Sequence, residues 1–190
     1  MSKGFLERLI DIGVAGTALA SSTTETSLMV GNTGEQGTLP AKYFERIGKG
    51  LKVRAAGRIS TVVTTPGTLN LYLRFGSIDV WDSGAMTLNI VAKTNVPWIL
   101  ELEVFARAIG SGTSANLLGV GSFLSEAVIA SVAPTAGGEL THVLPYNTAP
   151  AVGSGFDSSA AQLIDFMAKW SVSNASNSIR LETFSVDMWS

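Results

Sequence analysis

A strict two-residue alternation of side chains after Gly50 is the feature that most constrains the fold. In the run LKVRAAGRIS, residues 51–60, every second position belongs to one side, which holds Leu51, Val53, Ala55, Gly57 and Ile59. A β-strand points successive side chains to opposite faces, whereas a helix needs a spacing of three or four residues. The run therefore predicts a strand with one buried face.

The same alternation recurs along the chain, with turn sequences between the runs. The alternating runs are residues 69–75, 98–108, 117–127, 161–170 and 179–189, and the turns include TTPGT, GSGTS and SNASNS. Short strands separated by regular turn signals, without helical segments between them, are typical of antiparallel sandwiches. We predict an all-β antiparallel β-sandwich of nine or ten strands, with a jelly roll as the leading arrangement.

One of these runs also fits a helix. In residues 161–170, Leu163, Phe166, Met167 and Trp170 lie at helical spacing, while Ile164, Phe166, Ala168 and Trp170 alternate. We prefer the strand, because the neighbouring segments are strands and the Asn-Ser turn that follows suits a hairpin.

The start of the chain has a different pattern. The run FLERLIDIGV, residues 5–14, has helix-like spacing of its apolar residues but is too short to hold as a lone helix in water. We therefore predict that residues 1–22 form a docking arm and residues 23–190 the sandwich domain. The arm would contact its target through Phe5, Leu6, Leu9 and Ile10.

Composition points to a covered surface. Hydrophobic residues make up 46% of the chain and charged residues only 15%, against roughly 25% charged in soluble domains. Such a surface is explained if other subunits cover part of it. The net charge of −2 and the absence of a basic run predict no nucleic-acid partner, and no apolar run approaches the roughly 18 residues of a membrane span.

Reactive side chains are scarce. The chain has no cysteine and one histidine, His142, which we interpret as a surface or interface residue. Asp79 and Asp82 flank Trp81 without a calcium-loop series, and Asp82 suits a turn that bonds its own backbone. We predict no catalytic residue, no metal site and no cofactor, and hence no enzyme.

A pair of glutamates offers the nearest approach to catalysis. Glu101 and Glu103 lie on one face of a predicted strand, and glycosidases use two carboxyl groups roughly 5–9.5 Å apart. We interpret them instead as cross-strand partners of a basic strand face. That face holds Lys52, Arg54 and Arg58.

The tryptophans leave two interpretations open. Trp98 and Trp170 follow the inward face of their strands and are predicted to be core residues. Trp81 and Trp189 are compatible with either the core or sugar stacking.

Apolar residues also stand at positions that the alternation assigns to the outward face. They are Ile99 and Phe105 on one strand and Leu163 and Met167 on another. Strands that are apolar on both faces indicate cover by another layer. We predict that these four residues form an oligomer interface.

Five stretches in order resemble small jelly-roll virion proteins of tailed bacteriophages, of the capsid decoration (cement) or minor structural kind. They are TALASSTTETSLM, TLPAKYFERIGKGLKVRAAGRIST, LNLYLRFGSIDVWDSGAM, TNVPWILELEVFARAIGSGTSANLLGVGSF and NSIRLETFSVDMWS. The resemblance covers most of residues 17–190. It implies a homotrimer on the capsid surface that contacts the phage major capsid protein and stabilises the particle by bridging neighbouring capsomers. Such a protein is made in the cytoplasm of the host bacterium.

A second function stays open. A tail or fibre-associated jelly-roll module would bind a host-surface glycan through loops. An exposed Trp81 or Tyr146 beside polar groups would favour this alternative over the capsid role.

The interface prediction has a direct test. We expect the Phe105→Asp substitution to weaken assembly, because a buried and unpaired carboxylate is costly. Sedimentation of the wild-type protein and the variant measures the effect. A stable wild-type monomer at micromolar concentration would refute the predicted interface.

Overall fold

The part of the chain that the computed structural model describes, residues 6–29, 37–129, 141–148 and 155–189, consists of strands, turns and loops without a helix. This confirms the all-β prediction. The strands are β1 (Leu6–Ile12), β2 (Leu19–Ala20), β3 (Thr26–Ser27), β4 (Thr38–Leu39), β5 (Gly50–Thr61), β6 (Thr68–Phe75), β7 (Ile78–Asp82), β8 (Met86–Thr87), β9 (Lys93–Ala108), β10 (Asn116–Leu124), β11 (Thr141–Leu144), β12 (Gln162–Trp170) and β13 (Ser178–Trp189).

The strands form two antiparallel sheets that pack as a sandwich. The larger sheet has the order β1-β13-β5-β9-β10-β11, with β2 also paired to β13. The smaller sheet has the order β3-β12-β6-β7, with β4 on β12 and β8 on β6. The chain passes several times from one sheet to the other, an order compatible with the predicted jelly roll.

The core lies between the two sheets and is built from the alternating positions. Trp98 and Trp170 are buried, as predicted, and Trp98 stacks on Phe123 with ring centroids 5.7 Å apart. The inward residues of the central strands are almost inaccessible to solvent. They include Leu51, Val53, Leu69, Leu71, Leu73, Leu100, Leu102, Ile164, Phe166, Leu181 and Val186.

The ambiguous run at residues 161–170 is a strand, as preferred. β12 pairs with β6 along one edge and with β3 and β4 along the other. Its two edges are therefore supplied with backbone partners from other strands, and its alternating apolar face enters the core. Tertiary pairing decides between two patterns that the local spacing leaves equal.

The structure places Leu6–Ile12, part of the predicted docking arm, in the folded sandwich. This segment is an edge strand of the larger sheet, paired antiparallel with β13 from Leu6 opposite Trp189 to Ile12 opposite Phe184. Ile10 and Ile12 are buried in the core, and Leu9 packs against it. A short isolated helix is marginal in water because its nucleation is costly, whereas pairing with β13 and burial of Ile10 and Ile12 stabilise this segment as a strand. Of the four predicted docking residues, Phe5 lies outside the described residues.

Edge strands of the sandwich are short and divided. β1 and β2 share one edge of β13, β3 and β4 share one edge of β12, and β7 and β8 share one edge of β6. Short edge segments offer little continuous unpaired backbone, which discourages uncontrolled strand addition. Contacts with other proteins are therefore better sought on faces and loops than on these edges.

The burial of Ile12 of β1 in the core leads to a prediction about stability. We expect Ile12→Ala to lower the free energy of unfolding by about 2–4 kcal/mol, because it opens a cavity in a packed site. Urea unfolding measures the loss. Val14→Ala is the matched control, since Val14 is exposed, and its effect should stay within about 0.5 kcal/mol. Equal small effects from both substitutions would show that β1 is not part of the folded core.

Candidate functional site

The outward face of the larger sheet carries paired charges on its central strands. Arg54 on β5 lies opposite Glu101 on β9, and the Arg54 Nη2 to Glu101 Oε1 distance is 3.0 Å. This confirms the predicted cross-strand pairing for these two residues. Arg58 lies opposite Pro97 instead, and its Nε binds Glu182 of β13 at 3.1 Å.

A second row of the same face alternates in charge across four strands. Arg8 lies opposite Asp187, Asp187 opposite Lys52, and Lys52 opposite Glu103. Arg8 Nε donates to Asp187 Oδ1 at 3.0 Å. Opposite charges on neighbouring strands support the sheet, and they leave this half of the face balanced in charge.

The other half of the same face is apolar. Ile99, Val120, Leu124 and Val143, here called the apolar half-face, are all exposed. Ile99 lies directly opposite Leu124, and Val143 lies opposite Ser122, between the positions of Val120 and Leu124. These side chains come from the neighbouring strands β9, β10 and β11, with Ser122 between Val120 and Leu124 and with Glu103 opposite Val120.

The surface of the apolar half-face is not flat. A shallow groove beside Ile99 and Leu124 is lined by Pro97, Trp98 and Ser125. Farther along β9, the half-buried Phe105 lies opposite Leu118. The arrangement suits protein contact through shape and burial of apolar area.

The four residues predicted to form an oligomer interface do not share one surface. Ile99 and Phe105 lie on the outward face of the larger sheet, whereas Leu163 and Met167 lie on β12 of the smaller sheet. Leu163 is exposed, but Met167 is only 6% exposed. Met167 lies between Ser27 of β3 and Tyr72 of β6, so it offers little surface to a partner.

Sequence reasoning missed three members of the apolar half-face. Val120, Leu124 and Val143 stand at outward positions of β10 and β11. The signal was present in the apolar residues on both faces of LLGVGSFL, residues 117–124. Whether these residues share a surface depends on the register with β9, which places Leu124 opposite Ile99.

The smaller sheet carries a compact polar network on its outward side. Arg74 Nε and Nη2 donate to the two carboxylate oxygens of Asp79 at 2.6 and 2.9 Å, and Nη2 also binds Glu25. These hydrogen bonds, with that to Asp79 foremost, raise the pKa of Arg74. The network ties the segment before β3 to β6 and β7, which is a structural role.

A third carboxylate, that of Asp165 on β12, lies opposite Arg74. Ser27 Oγ donates to Asp165 Oδ1 at 2.6 Å, and the Phe166 amide donates to the same oxygen at 2.7 Å. Burial raises the pKa of Asp165 despite these bonds. Burial also raises the pKa of the neighbouring Tyr72 hydroxyl.

The remaining sequence candidates are engaged in structure. Asp82 Oδ1 accepts hydrogen bonds from the Gly84 amide at 2.9 Å and from Asn70 Nδ2 at 3.1 Å, as the turn interpretation predicts. Asp79 is bound by Arg74. Within the described ranges, no group of three or more His, Cys, Asp or Glu side chains is placed to hold a metal ion.

The surface interpretation of His142 is wrong. His142 is 3% exposed, and its ring centroid lies 4.4 Å from that of Tyr146. It occupies an inward position of β11, between the exposed residues Thr141 and Val143. The short strand thus buries its histidine and presents its valine.

The described aromatic residues are mostly unavailable for stacking on a sugar. Trp81 is buried and lies so close to Gly119 that a Cβ there would stand 2.3 Å from Trp81 Cδ1. Tyr146 is half-buried against His142.

No helix in the described part of the chain is long and apolar enough to cross a membrane.

Comparison with known proteins gives limited results. No protein-family model matches the chain, and no curated protein matches it. A protein of unknown function from Shewanella oneidensis MR-1 is similar over 97% of this chain and 78% of its own, with 9% identity and a TM-score of 0.34. The CBM2 module of the evolved Dit of Lactobacillus casei BL23 phage J-1 is similar over 99% of this chain and 98% of its own, with 10% identity and a TM-score of 0.33.

The half-buried carboxylate of Asp165 predicts a pH dependence of stability. Because the folded chain raises the pKa of Asp165, it holds a proton more readily than the unfolded chain, so this group lowers stability as pH rises above its ordinary value near 3.8. We expect Asp165→Asn to increase the free energy of unfolding at pH 7, with a smaller gain towards pH 4. Urea unfolding across this range measures it.

Asp157→Asn is the control of opposite sign. A hydrogen bond from Ser159 lowers the pKa of Asp157, so its contribution is present at neutral pH and is lost as pH falls. This variant should be less stable than the wild type at pH 7, with a smaller difference in acid. An Asp165→Asn variant that is destabilised equally at both pH values would contradict the assignment of Asp165.

Proposed function

We propose that this chain is a non-enzymatic structural protein of a bacteriophage virion. It decorates the capsid and stabilises it by bridging neighbouring capsomers, and its apolar half-face is the surface that becomes buried there. One observation carries the proposal: four exposed apolar side chains, Ile99, Val120, Leu124 and Val143, stand on three neighbouring strands beside the Arg54–Glu101 ion pair.

The half-face provides a driving force for docking. Val143 is 77% exposed although it is a β-branched apolar residue. Burial of apolar area contributes roughly 25 cal/mol per Å². Valine and isoleucine also lose little side-chain freedom when they become ordered. A rigid sheet that already holds these side chains in place therefore docks at a low entropic cost.

The charged half of the outward face of the larger sheet helps to orient a bound partner. Balanced rows such as Arg8, Asp187, Lys52 and Glu103 give the face little net charge. Charged groups at the rim of an interface set orientation and partner choice more than affinity. The sheet thus combines an apolar contact with a polar margin, which is the usual anatomy of a protein interface.

The proposed docking surface is the apolar half-face and not the start of the chain. Ile10 is buried in the sandwich and Leu9 packs against it, so neither is available to bind a capsid. We propose the phage major capsid protein and further copies of this chain as partners. The homotrimer and the position on the capsid surface rest on the sequence resemblance.

The tail-module alternative lacks the observation that would favour it. It required an exposed Trp81 or Tyr146 beside polar groups, but Trp81 is 4% exposed and Tyr146 packs on His142. Among the side chains whose burial the structure describes, the exposed large hydrophobic residues are aliphatic and none is aromatic. The experiment that tests the capsid role therefore also measures glycan binding.

A binding experiment tests the capsid role. The purified chain is mixed with capsids of the encoding phage that lack it, and separately with the host-surface polysaccharide. We expect co-sedimentation with capsids, and we expect Val143→Asp to weaken it at least tenfold, because an unpaired carboxylate would be buried. Binding to the polysaccharide but not to capsids would overturn the proposal.

Ile47→Asp is the matched control. Ile47 is 64% exposed and lies before β5, next to Gly48, which bonds Ala106 near the end of β9, whereas Val143 lies opposite Ser122. This variant should bind capsids like the wild type. If it loses binding as Val143→Asp does, or if Val143→Asp binds normally, the apolar half-face is not the docking surface.

A further inference from the structure

The outward side of the smaller sheet holds more acidic than basic side chains. Four carboxylates and two cations lie close together there and are called the acidic cluster. Its members are Glu25, Asp79, Asp82, Asp165, Arg74 and Lys169. The chain has 15 acidic and 13 basic side chains, so eleven of each lie outside the cluster. The formal net charge of −2 is therefore the net charge of this cluster.

Internal ion pairs neutralise only part of the cluster. Arg74 binds both carboxylate oxygens of Asp79, at 2.6 and 2.9 Å, and it also binds Glu25. Asp82 is exposed and forms no ion pair with any residue that the structure describes. Its Oδ1 accepts two hydrogen bonds, at 2.9 and 3.1 Å, and both donors are uncharged. The charge of Asp82 is thus open to an external cation.

Tyr72 stands beside this open carboxylate with an unpartnered hydroxyl. It lies opposite Asp82 in the pairing of β6 with β7, and it shares the outward face of β6 with Arg74, two residues further on. Tyr72 is only 6% exposed, yet its hydroxyl forms no hydrogen bond with any described residue. Burial and the charges of Asp82, Glu25 and Asp79 raise the pKa of Tyr72, so the hydroxyl stays protonated beside these carboxylates. Buried polar groups normally have a partner, so this exception points to a ligand.

The spacing of the two groups suits a guanidinium. Tyr72 and Asp82 stand on neighbouring strands, which are about 4.8 Å apart. A guanidinium presents five N–H donors in a rigid planar fork and has no acceptor, whereas a lysine ammonium is a compact point charge. One N–H can therefore reach the carboxylate while another reaches the phenol oxygen. A calcium ion would need about six to eight oxygen ligands, far more than these two side chains supply.

We propose that the smaller sheet binds an arginine side chain of a protein partner at Asp82 and Tyr72. The guanidinium donates to the Asp82 carboxylate and to the Tyr72 oxygen, and the net negative charge of the cluster favours its approach. Free arginine carries a carboxylate of its own, which the cluster repels, so an arginine within a polypeptide fits better. Arginine is also enriched in the cores of protein interfaces.

This site does not depend on the virion role. It lies on the outward face of the smaller sheet, whereas the apolar half-face belongs to the larger sheet. The two surfaces point to opposite sides of the sandwich, and neither shares a residue with the other.

NMR titration of the ¹⁵N-labelled full chain tests the site. The ligands are N-acetyl-arginine amide, its uncharged analogue N-acetyl-citrulline amide, and free arginine. The titrations use the wild type, Asp82→Asn, Tyr72→Phe and Glu7→Gln. Glu7→Gln is the matched control, because it also removes one negative charge from an exposed side chain, on β1 of the other sheet. Thermal unfolding of each variant is measured alongside.

We expect saturable shifts of the Asp82 and Gly84 amides with N-acetyl-arginine amide, weaker binding of free arginine, and no binding of the citrulline compound. Asp82→Asn should weaken binding at least about fivefold and Tyr72→Phe at least about threefold, with Glu7→Gln unchanged. Because the Tyr72 hydroxyl has no internal partner, Tyr72→Phe should not lower the Tm.

Four results would overturn the proposal. They are shifts that do not saturate, equal binding of the citrulline compound, binding of free arginine as tight as that of the blocked form, and Tyr72→Phe binding at wild-type strength. A lower Tm for Tyr72→Phe would also contradict it, because the hydroxyl would then be bonded within the chain. No capsid is present in this experiment, so failure of the virion role would leave these outcomes unchanged.

Discussion

The antiparallel pairing of β13, β5 and β9 is the constraint on which the rest of the structure depends. β5 is paired along its length on both sides, from Leu51 opposite Val104 and Met188 to Ile59 opposite Val96 and Ile179. The strands approach so closely at Gly57 that a Cβ would lie 1.9 Å from the Arg180 carbonyl oxygen. Because the side-chain period is two, a slip of one residue would turn every core residue outward.

The same register creates the outer surfaces. Placing Val53 and Leu102 in the core places Arg54 opposite Glu101 on the outside. It also aligns Ile99 with Leu124, and so assembles the apolar half-face. At the ends of these strands the Asn177 side chain accepts a hydrogen bond from the Val62 amide and donates one to the Pro66 carbonyl, which ties two loops together.

Sequence reasoning succeeded where local pattern and tertiary structure agree. The alternating runs predicted the strands and the buried Trp98 and Trp170, and they placed Arg54 and Glu101 on facing strands. It failed for Leu6–Ile12, because its strand partner lies at the far end of the chain, where Leu6 meets Trp189. Seven residues carry too little periodicity to outweigh such a long-range pairing.

The surface was harder to predict than the core. Met167 stands at an outward position, yet its place between β3 and β6 buries it. His142 looked polar and exposed, yet β11 turns it inward beside Tyr146. The apolar half-face draws its residues from three strands. It therefore depends on register and topology, which no single stretch of sequence encodes.

Hydroxyl-radical footprinting of the chain, free and mixed with capsids, tests most directly whether the apolar half-face is a buried contact. Side-chain oxidation is read by mass spectrometry at Leu124 and Val143, and at Ile47 as an internal reference. The proposed capsid role predicts strong protection of Leu124 and Val143 on the capsid and little change at Ile47. Equal oxidation of Val143 in both states, or protection confined to Ile47 and its charged neighbours, would contradict that proposal.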